Sequence, residues 1–277
     1  MSVLNIFRRI WRKLFARPEF RKMNMALNYL SFVGLGVDDY DLRKNIQDSE
    51  ISFLRSLSKI VEDGDQIVDV GANVGDYAIA VRNILGPKVR IAAIEPSPKI
   101  HKVLAETAKD FKFESYCLGC GSKKSVSRLY DRDISGTQHG SLYEGVFRQG
   151  VFRGIPKNKI ISIKVNLDTI DHLAERFHWA KIRLLKIDTE GHELEVLKGA
   201  RKLLRRKAID YIQFEFNEMN LVSGVHMREI KDFLSGFELF RMLPHGLLPL
   251  NKLNPVQQET FGYQNLVAVR DGLLKHI

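Results

Sequence analysis

A chain of 277 residues, 44% hydrophobic and 27% charged, carries enough apolar content to bury one sizeable core, which excludes a disordered or low-complexity protein. No stretch approaches the roughly 18 to 20 uninterrupted apolar residues that span a bilayer, and the N-terminus lacks the apolar block and cleavage site of a secretory signal, so a cytoplasmic location is expected. The net charge of +10 is unevenly spread: residues 1–24 hold seven cations against the single acid Glu19, so +6 of it lies there and the remaining body is only mildly basic.

In chain order, Val3, Leu4, Phe7, Ile10, Trp11, Leu14 and Phe15 fall at helical spacings with Arg8, Arg9, Arg12 and Lys13 between them. This predicts a basic amphipathic helix within residues 1–24, ended near Pro18. Through residues 3–15 such a helix can lie peripherally on the inner face of a membrane, or pack its apolar face on the domain; both satisfy the same amphipathic pattern. Residues 25–62 read as an N-terminal extension: an irregular stretch, then a helix capped at Asp48 or Ser49 with Ile51, Leu54, Leu57, Ile60 and Val61 on one face.

A catalytic domain is expected over 63–277. QIVDVGANVGDYAIAVRNIL reads as a strand (Ile67 to Val70), a glycine turn and a helix from about Asn73 to Leu85; VRIAAIE, PSPKIHKVLAETAKD and FKFESYCL continue the alternation. That rhythm predicts βαβ units and a parallel sheet with right-handed crossovers. Residues 121–158 break it as an insert with little periodicity. It resumes with IISIKV, a helix from about Asp168 to Phe177, the strand RLLKID, one helix HELEVLKGARKLLRRK and the strand AIDYIQFEF. A helix around Met227 to Leu234 and the strands FELFRML and NLVAVR finish the chain. The C-x-x-C pair Cys117 and Cys120 has no second ligand pair and closes a strand-like run, so ordinary thiols are expected rather than a zinc or redox site.

Three constellations carry chemistry. In Asp69-Val70-Gly71-Ala72-Asn73-Val74-Gly75 a strand ends in a tight glycine turn, which brings backbone amides and a helix N-terminus to a nucleotide ligand. Asn73 stands where a dinucleotide-binding G-x-G-x-x-G has its second glycine, so a diphosphate is crowded while S-adenosylmethionine is tolerated; this disfavours a NAD-linked oxidoreductase. Asp69 can supply a carboxylate near the methionine ammonium, directly or through water. Glu95, 24 residues beyond Gly71 at the end of the second strand, can accept both ribose hydroxyls, and can also cap the following helix. In Lys186-Ile187-Asp188-Thr189-Glu190-Gly191-His192, a buried strand carries Asp188 and Glu190 into the crevice where open α/β sheets bind ligands, while Glu193 and Glu195 suit the next helix dipole structurally.

VDVGANVGDY, AIEPSP, LLKIDTEGHELEVLKGA and IQFEFNE together resemble the FkbM family of methyltransferases over roughly residues 50–270. The resemblance implies a Rossmann-like class I methyltransferase with a mostly parallel seven-stranded sheet and helices on both faces. It implies S-adenosyl-L-methionine as cofactor and methylation of a hydroxyl on a sugar, glycan or other small-molecule acceptor. It places cofactor contacts at Asp69, Gly71, Asn73, Gly75 and Glu95. Asp188, Glu190 and Glu215 match acids of the family pattern and leave the general base open. His192 is the candidate that titrates near neutrality, against the reading of a solvent-facing histidine at a helix start. No dedicated metal cage is present. Ser135, Gly136, Thr137, Gln138, His139, Gly140, Ser141 and Leu142 suit an acceptor lid or a plain surface loop. Two other classes remain to be weighed: an RNA ribose methyltransferase, suggested by the basic charge although nucleic acid is the less favoured partner, and a non-catalytic membrane-associated scaffold.

Overall fold

The structure, a computed structural model, describes residues 3–38, 41, 43–132, 140–148 and 159–274. Helix α1 (Val3–Leu14) forms on the expected amphipathic pattern and gives way at Pro18, which opens a single 3-10 turn before α2 (Arg21–Gly34). Helix α2 runs through residues expected to be irregular and crosses the expected boundary at residue 24; its apolar residues are not gathered into one strong stripe. In α3 (Asp48–Leu57) the capping residue is Gln47, whose N–H donates to Glu50 Oε2 at 3.0 Å, rather than Asp48 or Ser49. Among the described residues no helix is long and apolar enough to cross a membrane.

The alternation then follows as β1 (Gln66–Val70), α4 (Asp76–Leu85), β2 (Arg90–Ile94), α5 (Pro98–Phe111) and β3 (Glu114–Tyr116). Next come β4 (Gly119–Cys120), β5 (Ser125–Arg132), α6 (Gly145–Arg148), β6 (Ile160–Asp168), α7 (Ile170–Arg176) and β7 (Ile182–Ile187). The chain closes with α8 (Glu193–Lys198), α9 (Arg201–Arg205), β8 (Ile209–Phe216), α10 (Met219–Ser223), α11 (Met227–Phe233), β9 (Phe237–Leu243), β10 (Gly246–Pro249), α12 (Pro255–Gln258) and β11 (Gln264–Arg270).

The main sheet has the order β10-β9-β11-β8-β7-β1-β2-β3. Strands β3, β2, β1, β7 and β8 are mutually parallel, whereas β11, β9 and β10 pair antiparallel. The Rossmann-like α/β architecture is present with an eighth strand, because β9 turns back through β10 at the edge. Along β1, Val68 and Val70 join the core that holds Ile170, Leu197 and Ile230, while Ile67 joins the core that holds Leu54, Val81 and Leu104. Strand alternation thus buries both faces under helices.

Two expectations are corrected. The presumed insert contains β5, which pairs with β6 from Ser125↔Leu167 to Arg132↔Ile160, and both join β4 in a separate three-stranded sheet. Strand β5 fully buries only Leu129 and so lacks the apolar alternation that would have announced it. The single helix expected over 192–207 is broken: a Cβ on Gly199 would lie 2.1 Å from the Gly121 carbonyl oxygen, and the Asp171 carboxylate caps the N–H groups of Lys202 and Leu203 at 2.8 and 2.9 Å. Both cysteines are free thiols, Cys117 exposed and Cys120 buried.

The register levels the carboxyl ends of four strands: Ile94 pairs with Val70, Val70 with Ile187, and Ile187 with Phe214. The next residues, Glu95, Gly71, Asp188 and Glu215, therefore stand in a row along one edge.

The N-terminal segment is tied to the far side of this sheet by Arg241, which is 1% exposed. Its guanidinium donates to Gln264 Oε1 at 2.7 Å, the Leu35 carbonyl at 3.0 Å and the Gln257 carbonyl at 2.9 Å, and burial lowers its pKa to about 10. Arg241→Met is expected to destabilise the protein by about 3 kcal/mol in denaturant titration, since each buried acceptor left unpaired costs roughly 1 to 3 kcal/mol. A change within experimental error would show that these contacts are dispensable.

Candidate active site

The turn after β1 is closed on both sides. The N–H groups of Gly71 and Ala72 donate to the Ile94 carbonyl at 2.9 and 3.0 Å, and the Asp188 N–H donates to the Val70 carbonyl at 2.9 Å. Gly71 has φ +80°, and a Cβ there would sit 1.7 Å from the Asp188 carbonyl oxygen, so only glycine fits. Asn73 follows at φ +50°, a left-handed conformation that asparagine tolerates. Its N–H donates to Glu95 Oε2 at 3.1 Å, and the Ser97 N–H donates to Glu95 Oε1 at 2.8 Å. Burial pushes the Glu95 pKa up to about 7 despite these two backbone donors.

A cleft of about 640 Å³, within the range of small-molecule sites, runs along the row of strand ends. Gly71, Asn73, Glu95, Asp188, Glu190, His192 and Glu215 all line it. Asp69 and Gly75 do not line it. Asp69 is mid-strand, 0% exposed, and faces inward; Gly75 starts α4 at φ +99°, and a Cβ there would meet Leu104 at 3.0 Å and Thr107 at 3.2 Å. Gly75 therefore lets α5 approach the turn rather than a ligand.

The inward face of β1, β7 and β8 carries a polar row that the sequence reading did not single out. Asp69 is in register with Lys186, and Lys186 with Gln213. The Lys186 ammonium lies 3.0 Å from Asp188 Oδ2 and 3.5 Å from Asp69 Oδ1, and 5.1 Å from the centre of the Tyr77 ring. The Tyr77 hydroxyl donates to Gln213 Oε1 at 2.5 Å, and Gln213 Nε2 donates to Glu50 Oε1 at 2.7 Å. Burial alone would depress the lysine, but Asp188, Asp69 and Glu50 more than offset it and raise its pKa, so it stays cationic. Burial pushes Asp69 and Glu50 up while Lys186 opposes that. The available signal was a lysine inside the otherwise apolar run LLKI.

Around the acceptor end, burial and the nearby carboxylates of Asp188, Glu190 and Glu193 push Glu215 upward, and Asn217 Nδ2 donates to it. Burial lowers the pKa of His192, and its Nδ1 is 3.0 Å from the Tyr143 hydroxyl. Glu190 sits at φ +52°, and its carbonyl accepts from Ser141 Oγ at 2.9 Å. Glu193 is structural as expected: it accepts from the Thr189 and Gly191 N–H groups, both at 3.1 Å, and from Asn220 Nδ2 at 3.2 Å. Of the expected lid, Gly140 and Leu142 line the cleft; residues 135–139 lie outside the described residues.

The cleft is acidic inside a basic protein. Among the described residues its lining includes nine carboxylates, of which Asp38, Glu50, Asp76, Asp131 and Glu218 add to the four predicted ones, against Lys186 as the one lysine or arginine. No group of three or more histidine, cysteine or acidic side chains positioned to hold a metal is found among the described residues.

The family model described as the methyltransferase FkbM domain matches residues 69–239. The chain belongs to the FkbM methyltransferase family. Its relatives include the hexuronic acid methyltransferase AglP of Haloferax volcanii, 28% identical over 190 residues that cover 69% of this chain and 70% of that protein. They also include the 2-O-methyltransferase NoeI of Sinorhizobium fredii, 22% identical with 72% and 83% covered. Among solved structures, the FkbM methyltransferase of Methylobacillus flagellatus KT aligns with a TM-score of 0.49 and 15% identity, covering 79% of this chain and 47% of that one, so this chain spans about half of its length. FkbM methyltransferases depend on S-adenosylmethionine, and the residues present fit that group. Glu95 lines the cleft where its carboxylate would meet ribose hydroxyls, the Gly71 turn would allow a close backbone approach, and the acidic lining would complement a sulfonium and an ammonium.

Because Glu95 titrates near neutrality, its carboxylate form grows as pH rises through about 7, and only that form accepts with both oxygens. Calorimetric affinity for S-adenosylmethionine should therefore increase severalfold from pH 6 to pH 8, and Glu95→Gln should bind weakly with a flat profile. A flat profile in the parent would remove Glu95 from the ribose site. Lys186→Met should cost roughly 3 to 5 kcal/mol of folding stability by leaving buried carboxylates unpaired. Combining it with Asp69→Asn should restore part of that loss, whereas strictly additive losses would refute the ion-pair account.

Proposed function

We propose that the protein transfers the methyl group of S-adenosylmethionine to a hydroxyl of a neutral sugar, glycan or similar polyol. The observation that carries this reading is the charge of the cleft. Nine carboxyl groups face a single lysine; burial pushes Glu50, Glu95 and Glu215 toward their protonated forms, and the remaining acids still suit a cationic methyl donor beside an uncharged hydroxylated acceptor and oppose a phosphate-bearing one. Ribose methylation of RNA is disfavoured on this ground, because phosphates would have to enter against those carboxylates. The name of AglP, a hexuronic acid methyltransferase, supports a carbohydrate acceptor, there an acidic one, and that of NoeI, a 2-O-methyltransferase, supports methylation of an oxygen.

Bound S-adenosylmethionine supplies an electrophilic methyl group on a sulfonium. The protein's work is to orient the hydroxyl and take its proton. We assign the proton to Asp188. It lines the cleft with its side chain 32% exposed, and the Lys186 ammonium fixes Oδ2 while Oδ1 accepts no hydrogen bond from the described residues. Glu215, pushed upward by burial and its acidic neighbours, keeps its proton more readily and serves as a donor to a second hydroxyl of the acceptor. Asn217 and Tyr263 line the same wall and offer further polar contacts of the kind a polyol needs.

A screen of neutral sugars, uronates and RNA with radiolabelled methyl donor tests the acceptor class, neutral sugars being the expected substrates. On the substrate found, Asp188→Asn should lower kcat by about 100-fold or more while S-adenosylmethionine affinity stays within a few-fold of the parent. A near-normal kcat in Asp188→Asn with a collapse in His192→Gln would move the proton to the Tyr143–His192 pair. Methylation of RNA alone would overturn the acceptor class.

A further inference from the structure

The cations that the cleft lacks are gathered on α1 and α2, and neither helix has a buried residue. Leu4, Phe7 and Leu30 are 77%, 65% and 65% exposed, and Ile10, Trp11, Leu14, Met25 and Leu27 are also exposed. An amphipathic helix in a folded domain places its apolar stripe on the core; α1 does not, and the apolar side chains of α2 are equally uncovered. The two helices are nonetheless held together as a unit. Trp11 Nε1 donates to Asn24 Oδ1 at 3.1 Å, Asn24 Nδ2 donates to the Phe15 carbonyl at 2.9 Å, and the Phe15 ring lies 4.7 Å from Trp11 and 5.2 Å from Phe20. The result is a pair of helices joined at their connection, with exposed apolar side chains and with Arg8, Arg9, Arg12, Lys13, Arg17, Arg21 and Lys22 exposed on the same segment.

We propose that the α1–α2 segment docks the protein on an anionic lipid surface, with its apolar side chains in the acyl boundary and its basic side chains on headgroup phosphates. Charge selects this occupant. A second copy would bring the same seven cations, with one acid, against themselves, and a polyanion such as RNA leaves the apolar side chains without a partner. With 12 residues, α1 extends about 18 Å and lies in the interface rather than crossing it. Tyr29 of α2 also lines the cleft, so docking sets the mouth of the site beside the lipid surface. The proposal is independent of the acceptor assigned above.

Flotation of the intact protein with phosphatidylcholine vesicles, with and without phosphatidylglycerol, at low and high salt, tests it without any need for turnover. The protein should float with phosphatidylglycerol vesicles and should be released by salt. Arg8→Gln with Arg12→Gln should lower partitioning by roughly 30-fold. Leu4→Ser with Phe7→Ser should abolish flotation while calorimetric binding of S-adenosylmethionine persists, which shows that the variant is folded. Absence of flotation with anionic vesicles, or flotation unchanged by both variants, would overturn the proposal. So would a concentration-dependent dimer that Leu4→Ser with Phe7→Ser dissolves in a protein that does not float; that outcome assigns the surface to a second copy.

Discussion

Lys186 keeps its ammonium inside the protein, and a buried charge persists only where neighbouring groups replace the hydration it has lost. Asp69 and Asp188 do so directly, and Glu50 adds its field from α3. The same cation thereby couples three distant parts of the chain: the mid-strand acid of β1, the acid that ends β7, and the helix that precedes the sheet. Remove it and the acids face one another across the inward side of the strand ends. With it in place, Asp188 Oδ2 is held by the ammonium at the strand edge that lines the cleft.

The second constraint is steric. Gly71 touches the Asp188 backbone so closely that no side chain can intervene, and the glycine turn and the acidic strand end are therefore one structural unit rather than two adjacent motifs. Glu95 joins the unit from the other side through the N–H groups of Asn73 and Ser97. The level register of β2, β1, β7 and β8 does the rest, lining up Glu95, the Gly71 turn, Asp188 and Glu215 within a few strand spacings of about 4.8 Å each.

Charge is also sorted between regions. The cleft concentrates carboxylates where a cationic methyl donor belongs, while the basic residues that set the net charge stand on the N-terminal helices. A net charge of +10 read as a single number points towards nucleic acid; read by position it separates two surfaces with opposite preferences.

Much of this was legible in the order of residues. Apolar periods of two and near 3.6 located most strands and helices, and the glycine turn, Glu95 and the IDTEGHELEVLKGA segment marked the edge of the sheet, because each depends on neighbours close along the chain. Strand β5 and helix α2 were missed because neither buries one continuous face, and the break between α8 and α9 because its cause, the Gly121 carbonyl, lies far away in sequence. By itself the sequence determined the α/β rhythm, the turn and the acids at strand ends. Only the tertiary structure decided that Asp69 and Gly75 stand behind the wall and that Lys186 and Glu50 belong to the site. The contacts responsible join residues as far apart as Glu50 and Gln213, 163 positions along the chain, and such contacts depend on cross-strand register and helix packing, which no local pattern encodes.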